Sequence, residues 1–245
     1  MDFTAEPLCE DALLLRFGHV MDTRINARVH AVAAHLRATA LPGLMEIAPA
    51  YASLLLRFDP DAYAKGSDSF CCAVRSALAT MPEQNEPDPF SSREVEIPVC
   101  YGGAHGPDLE EVAEHAGLDT QQVIDRHTAR EYTVAMLGFA PGFPYLLGLD
   151  RALHTPRRVT PRTRVPAGAV AIGGAQTGIY PRELPGGWML IGRTPLVLFD
   201  PQRDPPCLLA PGDRVRFRAM DAGEFIAVSK KGGHGRPLSD SRDHG

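Results

Sequence analysis

From Gly138 to Asp213 the chain reads GFAPGFPYLLGLDRALHTPRRVTPRTRVPAGAVAIGGAQTGIYPRELPGGWMLIGRTPLVLFDPQRDPPCLLAPGD, a stretch that holds about half of the protein's 23 glycines and 22 prolines. Glycine reaches backbone angles closed to other residues, and proline fixes φ while removing a donor, so this region cannot be helical. Short strands fit it well. The apolar runs AVAI at 169–172, WMLI at 188–191 and PLVLF at 195–199 have strand length and lie between turn signals. The stretch therefore reads as compact, turn-rich β-structure. Between Arg151 and Arg193 it carries Arg151, Arg157, Arg158, Arg162, Arg164, Arg182 and Arg193 against a single acid, Glu183.

That basic island stands in an acidic chain, with 25 Lys and Arg against 30 Asp and Glu. An isolated cluster of arginines points to a small anionic ligand, whereas nucleic-acid binding needs a broader basic footprint. At 245 residues and 44% hydrophobic content, the chain has material for two modest domains or one large one. Its five cysteines form no CxxC pair and no zinc spacing with the nine histidines, so they read as reduced thiols and no metal site is expected. With no signal sequence and no apolar run of membrane-spanning length, the expectation is a soluble cytoplasmic protein.

Working outward, ALLLRF at 12–17 reads as a strand, and Ile25, Val29, Val32 and Leu36 follow helical rhythm. LMEI at 44–47 and YASLLLRF at 51–58 read as strands around a turn containing Pro49. A second helix is predicted over 68–80, with Phe70, Val74, Ala77 and Leu78 inward. This β, α, β, β, α order is most of a ferredoxin-like sandwich. The division predicted is a ferredoxin-like domain at 1–85, a linker at 86–93, a β-barrel domain at 94–228 and a disordered tail at 229–245. After the linker, Val95, Ile97 and Val99 alternate as in a strand. A helix then spans 106–117, with Asp108 as N-cap, Glu111 as its capping-box partner and Gly117 as the stop. A short helix over 119–129, a strand EYTVAML at 131–137 and a last strand RVRF at 214–217 complete the reading.

HTAREYTVAMLGFAPGFPYLLGLD from His127, TPRRVTPRTRVPAGAVAIGGAQTGIYPRELPGGW and GRTPLVLFDP resemble the family of the B-type 5-oxoprolinase subunit (PxpB), also called allophanate hydrolase subunit 1 or the KipI family. The resemblance implies an α+β, mainly β chain, with a ferredoxin-like N-terminal domain followed by a cyclophilin-like β-barrel. It further implies one component of an ATP-dependent amidohydrolase that cleaves 5-oxo-L-proline to L-glutamate, with ATP and magnesium as co-substrate. The partner implied is a cognate larger subunit, of the C-type 5-oxoprolinase or allophanate hydrolase subunit 2 kind. Two other activities carry the same name: an allophanate hydrolase or urea amidolyase component, and an inhibitor of a histidine kinase. Prolyl isomerisation rests on the fold alone, which is a poor warrant. The chain has no GxxxxGK[ST] loop and only three lysines, Lys65, Lys230 and Lys231, so it is not a self-contained P-loop ATPase.

Candidate site residues follow from their chemistry. His127 and Glu131, at i and i+4 if the helix reaches Glu131, form an acid–base pair in which the histidine titrates near neutrality. Arg162 and Arg164, two apart in an extended proline-bounded segment, share a face suited to a carboxylate or phosphate, and Arg157 stands beside them. Gln176, Thr177, Tyr180 and Arg182 lie on a glycine-flanked loop as ligand contacts, with Arg193 a further candidate. The GFAPGF loop with Phe143, and the aromatic residues Tyr145 and Trp188, supply pocket walls.

Overall fold

The computed structural model describes residues 3–63, 65–82 and 93–232. It divides into two units, Met1–Ser91 and Ser92–Gly245. The whole is mostly β, with five α-helices among the described residues.

The first unit contains β1 (Thr4–Cys9), β2 (Ala12–Arg16), α1 (Thr23–Thr39), β3 (Leu44–Pro49), β4 (Ser53–Phe58) and α2 (Ser67–Ala79). Its antiparallel sheet runs β1-β2-β4-β3. Leu13 and Leu15 on β2 pair with Leu56 and Leu54 on β4, and these leucines are fully buried, as period-2 alternation requires. Asp22 caps α1 by accepting from the Arg24 and Ile25 N–H groups. Val29, Val32 and Leu36 are buried as their spacing predicts, but the turn before them buries Asn26 rather than Ile25. All four inward positions predicted for α2 are buried, and Phe70 stacks on Phe58 at 4.1 Å. Elements β2 to α2 keep the expected β, α, β, β, α order. The sheet's fourth strand, however, is β1, which precedes them. Its sequence TAEPLC is almost wholly exposed and carries no apolar alternation, so period counting passes over it. Pro49 closes β3 instead of lying in a turn.

The second unit contains β5 (Glu94–Tyr101), α3 (Leu109–Ala116), α4 (Thr120–Thr128), β6 (Glu131–Leu137), β7 (Pro144–Leu147), β8 (Arg162–Val165), β9 (Ala169–Gly173), β10 (Gln176–Ile179), β11 (Leu184–Gly186), β12 (Met189–Arg193), β13 (Arg214–Ala219) and α5 (Ala222–Lys230). Seven strands close a barrel in the order β10-β7-β6-β13-β5-β12-β9, and β8 and β11 form a separate ribbon. The β5–β13 pairing is parallel, with Val95 beside Val215 and Ile97 beside Phe217, all buried. Closure leaves none of the seven strands with an open edge.

Three expectations change here. Residues 195–199 are not a strand, although Leu196 and Leu198 are buried. Pro195 has no N–H to donate, and the Arg203 guanidinium and the Leu208 N–H take the carbonyls of Val197 and Leu198, leaving one isolated bridge at Phe199. Arg93, assigned to the linker, belongs to the barrel: it bonds Asp213 at 2.6 Å, and its carbonyl accepts from the Arg214 N–H. The rest of the predicted linker, 86–92, lies outside the described residues. Helix α5 continues through Lys230, past the predicted start of a disordered tail at 229, and residues 233–245 also lie outside the described residues. No described helix is long and apolar enough to cross a membrane.

Candidate functional site

Acid partners sort the arginine island. Asp108 stands at the N-cap position of α3 but makes no side-chain cap bond, and Glu111 is not its capping partner. Its side chain, 4% exposed, is occupied elsewhere. It accepts two hydrogen bonds from Arg162 (2.9 and 2.7 Å), one from Arg158 (3.2 Å) and one from the Leu190 N–H (2.7 Å). One buried acid thus ties the α3 entry, the 158–162 segment and β12 together, and Glu111 adds a weaker contact to Arg158 at 3.8 Å. Arg164 pairs with Glu183 through two bonds on the exposed β8–β11 ribbon. Arg162 and Arg164 therefore do not converge on an open anion site; each is already matched to its own acid. Because the Arg164 pair faces solvent, Arg164→Ala is expected to leave the melting temperature of the barrel unchanged, a result differential scanning fluorimetry reads directly. Arg193 donates to the Ala167 carbonyl at 2.8 Å and lies 6.0 Å over Phe225. Arg151, Arg157 and Arg182 are exposed and have no acid partner among the described residues.

Arg157 differs from the other two because an aromatic floor lies beneath it. Its guanidinium sits 5.5 Å over Trp188, and Trp188 meets Phe143 (5.7 Å) and Tyr145 (6.0 Å) edge to face. Phe143 also packs against Tyr180 at 5.2 Å. Two glycines make room for the indole: a Cβ on Gly173 would come within 2.5 Å of the Trp188 ring, and one on Gly178 within 3.1 Å of it. The GFAPGF loop closes one end of the floor. Phe139, 62% exposed, holds φ +67° at the centre of a three-residue turn in which the Ala140 N–H donates to the Gly138 carbonyl, and its ring meets Phe143 edge to face. Positive φ in a bulky residue is stored strain, of the kind that clusters at ligand sites. Arg157 also lines a groove of about 490 Å³ together with Glu111, Glu114, His115, Thr155 and Arg158.

His127 and Glu131 part company. Helix α4 ends at Thr128, and Glu131 opens β6, where it pairs with Arg214 and Arg216 at the surface. His127 lies fully buried in the barrel, ringed by Tyr132 and Phe217. Its proton position follows from its partners. The Thr177 hydroxyl donates to the Ala171 carbonyl at 3.0 Å, so it accepts from His127 Nε2 at 3.1 Å; Nδ1 then carries no proton and accepts from the Tyr101 hydroxyl at 2.8 Å. Burial lowers the imidazole pKa to about 3, which corrects the expectation of titration near neutrality. Neither an acid–base pair with Glu131 nor an exposed proton is built here.

Gln176 and Thr177 are wall residues of β10, both buried, and not members of an open loop; Tyr180 is buried just after them, and Arg182 is exposed. Sequence reasoning missed Asp108 as an arginine partner, Tyr101 as a histidine partner and Phe139 as a strained aromatic. Of these, only Phe139 left a signal, in its glycine- and proline-dense loop.

Over residues 3–209 the chain matches the family described as carboxyltransferase domain, subdomain C and D. It is 44% identical over 237 residues to the B-type 5-oxoprolinase subunit of Bacillus subtilis (strain 168), a match covering 94% of this chain and 98% of that one. The crystal structure of TTHA0988 is 41% identical with a TM-score of 0.74, covering 86% of this chain but only 40% of its own. This chain therefore spans less than half the length of that relative. The urea amidolyase of K. lactis, 20% identical with a TM-score of 0.74 over 94% of this chain and 15% of that one, shares the fold alone. A domain match across most of the sequence and a near full-length relative place the chain in the family of B-type 5-oxoprolinase subunits.

Proposed function

We propose that this chain is the non-autonomous B-type subunit of an ATP-dependent amidohydrolase that opens 5-oxo-L-proline to L-glutamate, working with a cognate larger subunit. The observation that carries the reading is the near full-length likeness to a B-type 5-oxoprolinase subunit, 44% identical over 237 residues. Within the same reading, the N-terminal unit is a ferredoxin-like sandwich whose fourth strand enters from the N-terminal hairpin, and the barrel is cyclophilin-like.

Lactam hydrolysis coupled to ATP requires phosphorylation of the amide oxygen, and that step needs cations and donors around the transferring group. This chain does not fit that task alone. Its three lysines lie at Lys65, Lys230 and Lys231, Arg158 and Arg162 are both bonded to Asp108, and no glycine-rich phosphate loop is present. The partner subunit then supplies the nucleotide and magnesium contacts, and this chain holds the ring. Allophanate also joins a carboxylate to an amide, which keeps it as the alternative substrate. A kinase-inhibitor role would call for a broad exposed apolar patch on the barrel, whereas Phe139 is a single exposed ring beside a buried floor.

The purified chain alone is expected to release no ADP with either substrate. Co-expressed with its larger subunit, it is expected to release ADP in proportion to 5-oxoproline consumed. Robust turnover by the single chain, or a complex that responds to allophanate and ignores 5-oxoproline, overturns the assignment.

A further inference from the structure

We infer that α5 is a strap that leaves the barrel as a unit, well before the barrel itself unfolds, and that it gates access to an outer-face row made by Cys100 and Arg193. This device belongs to the barrel alone and is independent of the reaction proposed above.

Alternation along β5 sets the row. Val95, Ile97 and Val99 are buried in the barrel core, and the Tyr101 hydroxyl reaches His127 inside it, so the residues between them point outward. Glu96 does so, accepting from Arg218 at 2.8 Å. Cys100 shares that outer face, yet it is only 7% exposed. Its cross-strand partner on β12 is Arg193, which projects to the same side. The element over the pair is α5, which packs on β5 and sets Phe225 against both the Arg193 guanidinium, at 6.0 Å, and the His105 imidazole, at 4.4 Å.

This cover is lightly fastened. None of the nine residues of α5 is buried. Phe225 and Val228, three apart and half-buried, form its inner side, while Ile226 is 53% exposed. Beyond those two side chains the hold is Glu224, which accepts from Arg218 at 2.7 and 3.3 Å in an ion pair open to water on both members. The chain is fixed as far as Met220, whose N–H donates to the Val99 carbonyl at 2.9 Å, and Asp221 then caps the helix, so the pivot lies between the two. A helix of nine residues is shorter than the roughly 12 that hold together in water alone, so α5 loses its helix when it lifts, and docking and helix formation are one event. A unit with so few buried contacts opens at a fraction of the global free energy. The closed strap also keeps the Cys100 thiol above its usual pKa, first by burying it and second through the Asp221 charge; opening removes the burial and lets the thiol ionise more readily.

Reaction of the full chain with N-ethylmaleimide, quenched at intervals and read by peptide mass spectrometry, follows Cys100 separately from the exposed Cys9 and Cys72. Cys100 is expected to react far more slowly than Cys72, yet at a rate almost independent of urea below the global transition reported by Trp188, the sole tryptophan, because lifting the strap exposes little surface. Phe225→Ala is expected to speed Cys100 labelling about tenfold while leaving the Trp188 midpoint nearly unchanged, and Glu224→Gln to speed it less. Ile226→Ala, on the exposed side, is expected to change the rate by less than about twofold. Hydrogen exchange supplies a readout free of thiol chemistry, with the amides of 222–230 exchanging ahead of those in β5 and β13. Cys100 labelling as fast as that of Cys72, or labelling that climbs with urea along the global unfolding curve, overturns the strap. So does a Phe225→Ala rate equal to the parent's, or a Phe225→Ala midpoint that falls in step with faster labelling, since α5 would then melt only with the barrel.

Discussion

Replacing Asp108 with alanine is expected to destabilise the barrel by about 3 kcal/mol, more than the loss of either arginine it holds. The asymmetry comes from burial. The Asp108 side chain is 4% exposed, while those of Arg158 and Arg162 are 32% and 25% exposed and retain a path to water. Deleting the acid leaves two neighbouring cations repelling each other and removes the acceptor of the buried Leu190 N–H. Deleting Arg162 instead leaves Asp108 with Arg158 and that N–H. Asp108→Asn keeps an acceptor for Leu190 and is expected to fall between the two. Urea unfolding followed by Trp188 fluorescence isolates the barrel, because the first unit contains no tryptophan. Equal costs for Asp108→Ala and Arg162→Ala would mean that the carboxylate is better solvated than its position implies.

Asp108 also marks the limit of what the sequence discloses. Its position before an amphipathic helix with Glu111 three residues on is the full signature of a capping box, and the helix does start and stop where predicted, with Gly117 in the left-handed region at its end. What no local pattern contains is a competing cation fifty-four residues away in sequence; a bidentate guanidinium outbids a single backbone N–H for the same oxygens. The next helix has no such competitor, and there Asp119 and Gln122 do form the box. Arg162 and Arg164 fail in the same manner. Two-residue spacing described their backbone correctly as strand β8, but partners on α3 and after β10 decided what the side chains do. Periodicity served well wherever burial alone chooses the residue, as on α1, α2, β5 and β13. It failed on β1, an edge strand with nothing to bury on most of its length, and on 195–199, where burial was right and backbone pairing was not. The island itself was legible as an excess of charge; that only Arg157 stays unpaired near an aromatic floor required the fold.

Acid is expected to weaken the barrel well before its carboxylates protonate, with His127 as the main cause. The folded imidazole titrates near 3 against 6.5 for a free one, so between these values the unfolded chain binds a proton that the native barrel refuses. The contribution is complete above pH 6.5 and is lost as pH falls toward 3, on the order of 5 kcal/mol over the full span. Protonating Nδ1 would also leave the Tyr101 hydroxyl, itself buried, without its acceptor. His105, held below its usual pKa by burial first and by Arg193 second, adds in the same direction. His127→Gln removes the largest share of this slope. It is expected to lower stability at pH 7.5 by about 2 kcal/mol through poorer bonds to Tyr101 and Thr177, and to flatten the dependence between pH 6.5 and 5, where carboxylates contribute little. Trp188-monitored unfolding at several pH values gives both quantities. A Gln variant with the parent's acid slope would show that the imidazole takes up its proton inside the barrel near neutrality, and would return His127 to the list of groups able to move protons during turnover.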